Sequence, residues 1–272
     1  MRGISRSSLA EAIRRLDENV LASASAEQAV SLGGELFEVV ALISGEHSLR
    51  RWLADPANDP EKKTALIGQI LEGKVSPSTV LVVSDVVSQP WSTGRDMLDA
   101  LERTAVYATV ASVDGTRLDE LEDELFRFQR IVVAQPELRS ALTREGVADA
   151  HLRSLVENLL SGKVSTATLA LVSQAVTHPR GRTLEQALDN FGQLVAERAK
   201  RFIAVVRTAH ALNETQQTRL RTLLSRKYGR EIHLNIEVAP EILGGLSIQV
   251  GDEVIDGTIA GRIAEVQRRL AG

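Results

Sequence analysis

Over the first 110 residues, apolar side chains return every three or four positions, the spacing that gives an α-helix one apolar face. Leu9, Ala12, Ile13, Leu16 and Val20 form one such row, and Ser8 followed by Glu11 has the form of a capping box at its start. A second helix is predicted over 26–43. Residues 55–60 (DPANDP) interrupt the pattern, because two prolines and an asparagine do not continue a helix. Helices are predicted to resume at 61–71, 77–87 and 93–110, and Asp114-Gly115 marks a turn or boundary.

The pattern then repeats. Glu35-Leu36-Phe37 returns as Glu124-Leu125-Phe126, and Leu49-Arg50 returns as Leu138-Arg139. Gly73-Lys74-Val75-Ser76 returns as Gly162-Lys163-Val164-Ser165, and Pro90 returns as Pro179, always 89 residues later. Of the 56 positions so aligned, roughly 17 are identical, and several others exchange one apolar residue for another. A period this long marks a duplicated small domain and exceeds the roughly 20–50 residues of a solenoid repeat. After Pro179 the register is expected to slip by two, so that Arg95 and Leu101 match Arg182 and Leu188. The second copy is predicted as helices at 118–133, 148–160, 166–176 and 183–200. Thr183 and Gln186 form a capping-box pattern before the last helix, and Leu184, Leu188, Phe191 and Val195 line it.

Past residue 200 the period changes. A β-rich run at 202–206 precedes a helix at 213–228, with Asn213 as N-cap and Gly229 at its end. Ile232, Leu234, Ile236 and Val238 then alternate with His233, Asn235 and Glu237, as in a half-buried strand. Leu234 and Ile236 are expected to face the core, so that a charge at either unfolds this part. Gly251-Asp252 lies between two alternating segments, 247–250 and 253–256, and suits a two-residue type II′ turn. Ile259, Ile263, Val266 and Leu270 return at helical spacing to the end. The fold class is therefore mainly α with a small α/β C-terminal domain. A first helical-bundle copy is expected at 1–112, a second at 113–200, and a compact strand and helix unit with a β-hairpin at 201–272.

Composition narrows the function classes. The 272 residues carry a formal net charge of −4, so no cationic excess drives contact with nucleic-acid phosphates. Aromatic residues are 3% of the chain, which leaves cores of Leu, Val, Ile and Ala suited to helix-on-helix packing. There is no cysteine, which excludes disulfides, thiolate nucleophiles and cysteine-ligated metals. The opening MRGISRSSLAEAIRR has no apolar core of a secretory signal, and no run is expected to reach the roughly 18 apolar residues of a membrane span. A cytoplasmic protein is expected, reaching any membrane only through partners.

The candidate chemical motifs are weak. Gly68-Gln-Ile-Leu-Glu-Gly73-Lys74-Val75 approaches a phosphate-binding loop, but Val75 replaces the hydroxyl that would meet Mg²⁺ and a helix precedes it where a strand is needed. The second copy has Glu157 in place of the first glycine. A capped helix end is the better reading. His47, His151, His178, His210 and His233 show no ligand spacing and read as surface residues. The acidic run Glu120, Glu122, Asp123, Glu124 and the basic run Arg198, Lys200, Arg201 read as solvated helix faces. No catalytic, cofactor-binding or metal-ligating residue is assigned.

Residues 239–272 (APEILGGLSIQVGDEVIDGTIAGRIAEVQRRLAG) carry the informative signature. Gly244-Gly245 and Asp256-Gly257 supply backbone freedom where the chain enters and leaves the hairpin. With FIAVVRTAHALNETQ and, earlier, LADPANDPEKKTALI, this segment resembles the delta subunit of F-type ATP synthase, the oligomycin-sensitivity-conferring protein of mitochondria. Pro240, Gly244, Gly245, Gly251, Asp252, Asp256 and Gly257 are the family-motif residues, read as structural. The usual family member has one helical domain; the duplicated form resembles that of high-GC Gram-positive bacteria. The resemblance implies a peripheral-stalk stator without catalytic residues or cofactors. A six-helix bundle would bind amino-terminal segments of alpha subunits and the carboxy-terminal domain would bind the b subunit, at the cytoplasmic face of the membrane. The alternatives are a stand-alone adaptor for amphipathic helices and, behind it, a nucleotide-binding enzyme using Gly68 to Lys74.

Overall fold

A computed structural model describes residues 3–144, 146–201, 203–228, 232–239, 242, 244–250 and 253–258. The final helix expected from Ile259 onward, Gly229 and the Gly251-Asp252 turn lie outside the described residues. Contacts divide the chain into two compact units, Met1–Ala196 and Glu197–Gly272. Helices dominate the first and a small mixed sheet the second, the mainly α class with an α/β end that the periodicity predicts.

The first repeat supplies α1 (Ile4–Arg15), α2 (Ala26–Gly45), α3 (His47–Ala54), α4 (Pro60–Leu71), α5 (Pro77–Ser88) and α6 (Gly94–Val110). The second supplies α7 (Leu118–Ala134), α8 (Pro136–Leu142), α9 (Asp149–Leu160), α10 (Thr166–Thr177) and α11 (Leu184–Arg201). Local chemistry sets most starts. Ser25 and Gln28 close a capping box before α2, and Ser76, Thr93 and Ser165 accept hydrogen bonds from the third residue of α5, α6 and α10. Asp59 caps α4, whose Pro60 opens the helix at the position where its missing N–H costs nothing.

Three expectations change here. Ser8 does not cap α1; it lies inside the helix, buried, and its hydroxyl donates to Pro90 O at 2.6 Å. A tertiary acceptor has replaced the local one. The helices α3 and α8, at equivalent places in the two repeats, lie outside the predicted set. The register after Pro179 also lengthens where shortening is expected, because the N-caps Thr93 and Thr183 begin α6 and α11 and lie 90 residues apart.

The core is built on α2 and α6. Gly33 lets these helices approach closely: a Cβ there would run into Thr109 Oγ1 and lie 3.0 Å from Thr109 N. By length and composition α2 is apolar enough to cross a bilayer, contrary to expectation; here it packs against α6, α3, α5 and α10. The last turns of α6 are buried all round, at Thr104, Ala105, Val106, Tyr107, Ala108, Thr109 and Val110. Helix α6 meets α1, α3 and α5 of its own repeat and also α10 of the second repeat. It begins 90 residues after α1 begins, close to the spacing of the repeat itself. The helix that ends the first repeat thus stands where the second repeat needs its first helix.

The second unit is a four-stranded sheet in the order β2-β1-β3-β4, formed by β1 (Ile203–Thr208), β2 (His233–Val238), β3 (Leu246–Val250) and β4 (Glu253–Asp256). The strands β1 and β2 are parallel and joined through α12 (Glu214–Tyr228), whereas β3 runs antiparallel to both β1 and β4. Asn213 caps α12 through Gln216 in both directions. The buried row belongs to the central strand, at Ala204, Val206 and Thr208, with Leu224 of α12 and Ile248 and Val250 of β3 also buried. Leu234 and Ile236 on the edge strand β2 are half-buried and Val238 is exposed, so the expected core face of β2 is only partly covered.

Candidate docking surfaces

The motifs with possible chemistry resolve into structure. Gly73 has φ 68° and follows the end of α4; Lys74 Nζ donates to Ile70 O at 2.9 Å. Gly162 has φ 71°, and Lys163 Nζ donates to Leu159 O at 2.9 Å. Both lysines sit at the negative end of a helix, whereas a phosphate loop places its ligand at the positive end. Of the histidines, His47 Nδ1 lies 2.8 Å from Arg50 Nη2 and His178 Nε2 lies 3.4 Å from Asp149 Oδ2. His151 and His210 are exposed. Among the described residues no three metal-ligating side chains gather.

The family-motif residues divide in two. Pro240, Gly251 and Asp252 lie outside the described residues. Gly244 has φ 129° and Gly245 φ 84°, backbone that side chains other than glycine rarely adopt. A Cβ on Gly245 would run into Gly257 O and lie 2.9 Å from Thr258 Cα, and Gly257 N donates to Leu246 O at 2.9 Å. Asp256 Oδ1 accepts from Thr258 Oγ1 at 2.7 Å and from Thr258 N at 2.9 Å, which lowers its pKa. Glu253 of β4 accepts from Lys227 at 2.5 Å and from the Tyr228 hydroxyl at 2.7 Å, and these bonds hold its carboxyl below the ordinary value. These contacts tie the end of α12 to the hairpin.

Not every charge is solvated. Glu124, in the acidic run, accepts from Ser165 N at 3.0 Å and from Ser165 Oγ at 2.8 Å, capping α10 from the side of α7. Glu35 does the same at α5, accepting from Ser76 N at 2.7 Å and from Thr79 Oγ1 at 2.6 Å. Arg198, in the basic run, is buried. Reading both runs as solvated faces therefore fails at Glu124 and Arg198, where packing has claimed the charged group.

Two surfaces of the first unit are candidates for docking. The first is a cleft of about 1390 Å³ lined from α1, α3, the start of α6, the α10–α11 loop and α11. Seven arginines line it: Arg6, Arg50, Arg51, Arg95, Arg103, Arg180 and Arg182. Arg180, at φ 55°, and Gly181, at φ 73°, make the turn that brings two of them to one carboxylate. Arg180 Nη1 lies 2.8 Å from Glu102 Oε2 and Arg180 Nη2 2.9 Å from Asp99 Oδ1, while Arg182 pairs with the other Glu102 oxygen. Glu102 is 3% exposed. Sequence reading misses this site, because its arginines are scattered over four elements and no linear motif joins them.

The second surface is on α7. Phe126 is 55% exposed, with Arg130 over its ring at 5.9 Å, and Ile131 and Val133 are exposed beyond it. Its counterpart Phe37 in the first repeat is 4% exposed, covered in part by Phe191 of the second.

Comparison with known proteins gives this architecture its relatives. The family model for the ATP synthase delta (OSCP) subunit matches residues 104–270, beginning within α6. A protein of Thermobifida fusca (strain YX) described as ATP synthase subunit delta is 66% identical over 273 residues, spanning 100% of both chains. ATP synthase subunit delta of Streptomyces griseus is 44% identical, again over 100% of both chains. That of Streptomyces coelicolor is 46% identical over 100% of this chain and 98% of its own. A chain of the Toxoplasma gondii mitochondrial ATP synthase hexamer, solved by cryo-EM, aligns with a TM-score of 0.33 and 15% identity over 62% of this chain and 95% of that one, too loose a likeness to carry an argument. On the family match and the full-length relatives, the chain belongs to the ATP synthase delta (OSCP) subunit family, the non-catalytic structural subunits of a membrane-associated ATP synthase.

Proposed function

We propose that this subunit is a stator clamp of the peripheral stalk. Its helical unit holds amino-terminal segments of the alpha subunits, and its α/β unit holds the end of the b subunit. It lies at the cytoplasmic face of the membrane, held there by its partners, and so lets proton translocation drive ATP synthesis. The observation that carries this reading is the end-to-end match to a protein described as ATP synthase subunit delta, which spans both units.

The physics of such a part is affinity and stiffness. A standard interface of about 1,600 Å² holds tightly without any reacting group, and an amphipathic helix seated on an apolar face is a common way to build one. Gly244, Gly245 and Gly257 serve this role indirectly, by shaping the backbone at the base of the hairpin.

Affinity capture of the full chain from cells that make the synthase is expected to recover both alpha and b subunits. A chain lacking 201–272 is expected to retain alpha and lose b. Recovery of neither subunit by the full chain refutes the clamp, and undiminished b recovery by the truncated chain refutes the division of labour.

A further inference from the structure

We propose that the arginine-lined cleft seats an acidic amphipathic helix. This goes beyond the clamp reading, because it assigns a particular groove and the chemistry of what fills it.

Charge is the first argument. The chain has a formal net charge of −4, yet seven arginines line this one cleft against the carboxylates of Asp55, Asp99 and Glu102. Arg180 and Arg182 are engaged by Asp99 and Glu102. Arg50 donates to Ser44 O and, among the described residues, has no carboxylate partner. Among those residues the guanidinium groups of Arg6, Arg51 and Arg95 have no hydrogen-bond or ion-pair partner, and all three residues are exposed. Clustered like charges repel, and a partner bearing carboxylates relieves that repulsion.

Size and lining select a helix over a small anion. At about 10 Å across and 5.4 Å per turn, roughly three turns of helix fill the cleft's volume of about 1390 Å³. Small-ligand pockets are commonly about 300–1,000 Å³. Among the arginines the lining includes the apolar Ile4, Leu9, Ala54 and Leu98 as well as the polar Ser44, Ser92, Thr93 and Asn190. Ile4 is 61% exposed, an apolar side chain at the mouth with no cover of its own. A lining that combines cationic and apolar side chains complements a helix with leucines on one face and glutamates at its margins.

The test uses the full chain and a fluorescein-labelled peptide of roughly 18 residues, five turns of helix, with leucines at every third or fourth position and glutamates between. Two further peptides serve as controls: one of the same composition with the leucines dispersed, and one with lysine in place of glutamate. Fluorescence anisotropy is expected to show saturable binding of the first peptide, weakening as salt rises. Arg51→Glu/Arg95→Glu, at exposed unpaired positions, is expected to weaken it by about tenfold or more while leaving the circular dichroism spectrum unchanged. Absence of saturable binding, equal binding of either control peptide, or full affinity in the double variant overturns the proposal. None of these results bears on capture of alpha and b, so failure here and failure of the clamp reading are separate outcomes.

Discussion

The rings of Phe37 and Phe191 meet with centroids 6.0 Å apart and planes tilted by 48°, joining the second helix of one repeat to the last helix of the other. Such a contact adds about 0.5–1.5 kcal/mol to the burial of both rings. Phe191→Ala is therefore expected to cost about 3–5 kcal/mol, and Phe126→Ala, at the open equivalent of Phe37, under about 1 kcal/mol. Urea titration of both variants checks the contrast; equal losses contradict it.

Gly33 and Gly34 are adjacent on α2 and should respond oppositely to alanine. At Gly33 the new Cβ collides with Thr109 Oγ1 and meets backbone at 3.0 Å, whereas at Gly34 nothing lies within 4 Å. Gly33→Ala is expected to destabilise by about 1–3 kcal/mol through overpacking. Gly34→Ala is expected to stabilise by about 0.5–1 kcal/mol through helix propensity. Thermal melts in opposite directions are the signature.

Glu35 caps α5 from another helix. Burial alone raises its pKa, but the bonds from Thr79 and Ser76 outweigh burial and leave it below the ordinary 4.5. A depressed folded pKa means the stabilisation is complete above the unfolded value and is lost as pH falls through the folded one. Glu35→Gln is expected to cost about 1 kcal/mol near neutral pH and to flatten the dependence of stability on pH below about 4.5. Chemical denaturation at neutral pH and at about pH 3 tests this, and a variant with the parental pH slope rules it out.

Glu102 is the buried anion between Arg180 and Arg182. Glu102→Gln removes the charge and leaves two largely enclosed guanidiniums, so a loss of about 3–5 kcal/mol is expected. Breaking the exposed pair of Arg14 and Glu11 should shift stability far less, because solvent screens it. Denaturant midpoints that shift alike in the two variants would show that Glu102 is as well solvated as Glu11.

Gly245→Ala places a methyl group on backbone at φ 84°, in collision with Gly257 O. Amides of β3 and β4 are expected to lose hydrogen-exchange protection, with those of α2 and α6 unchanged. Retained protection in β3 and β4 means the hairpin tolerates the strain.

Much of the helical order was legible because its signals are local. Thr183 with Gln186 and Asn213 announce helix starts from within one turn of chain, and the structure uses both, whereas Ser8 shows the same pattern and is taken into α1. Helix α3 was not legible: it is a single eight-residue segment without a capping side chain. The fates of Glu124 and Arg198 were also hidden, since a charged residue on a helix reads as solvated until packing encloses it. The cleft was invisible for a related reason, as Arg6, Arg51, Arg95 and Arg180 come together only once α1, α3, α6 and the α10–α11 loop are in place.

Helix α6 belongs to both repeats at once, with Ala105 through Val110 enclosed on every side. Neither repeat can melt without withdrawing this common wall from the other. The duplicated halves are thereby expected to act as a single cooperative block, in which the slowest-exchanging amides map to α6 and separately expressed halves each expose the surface the other now covers.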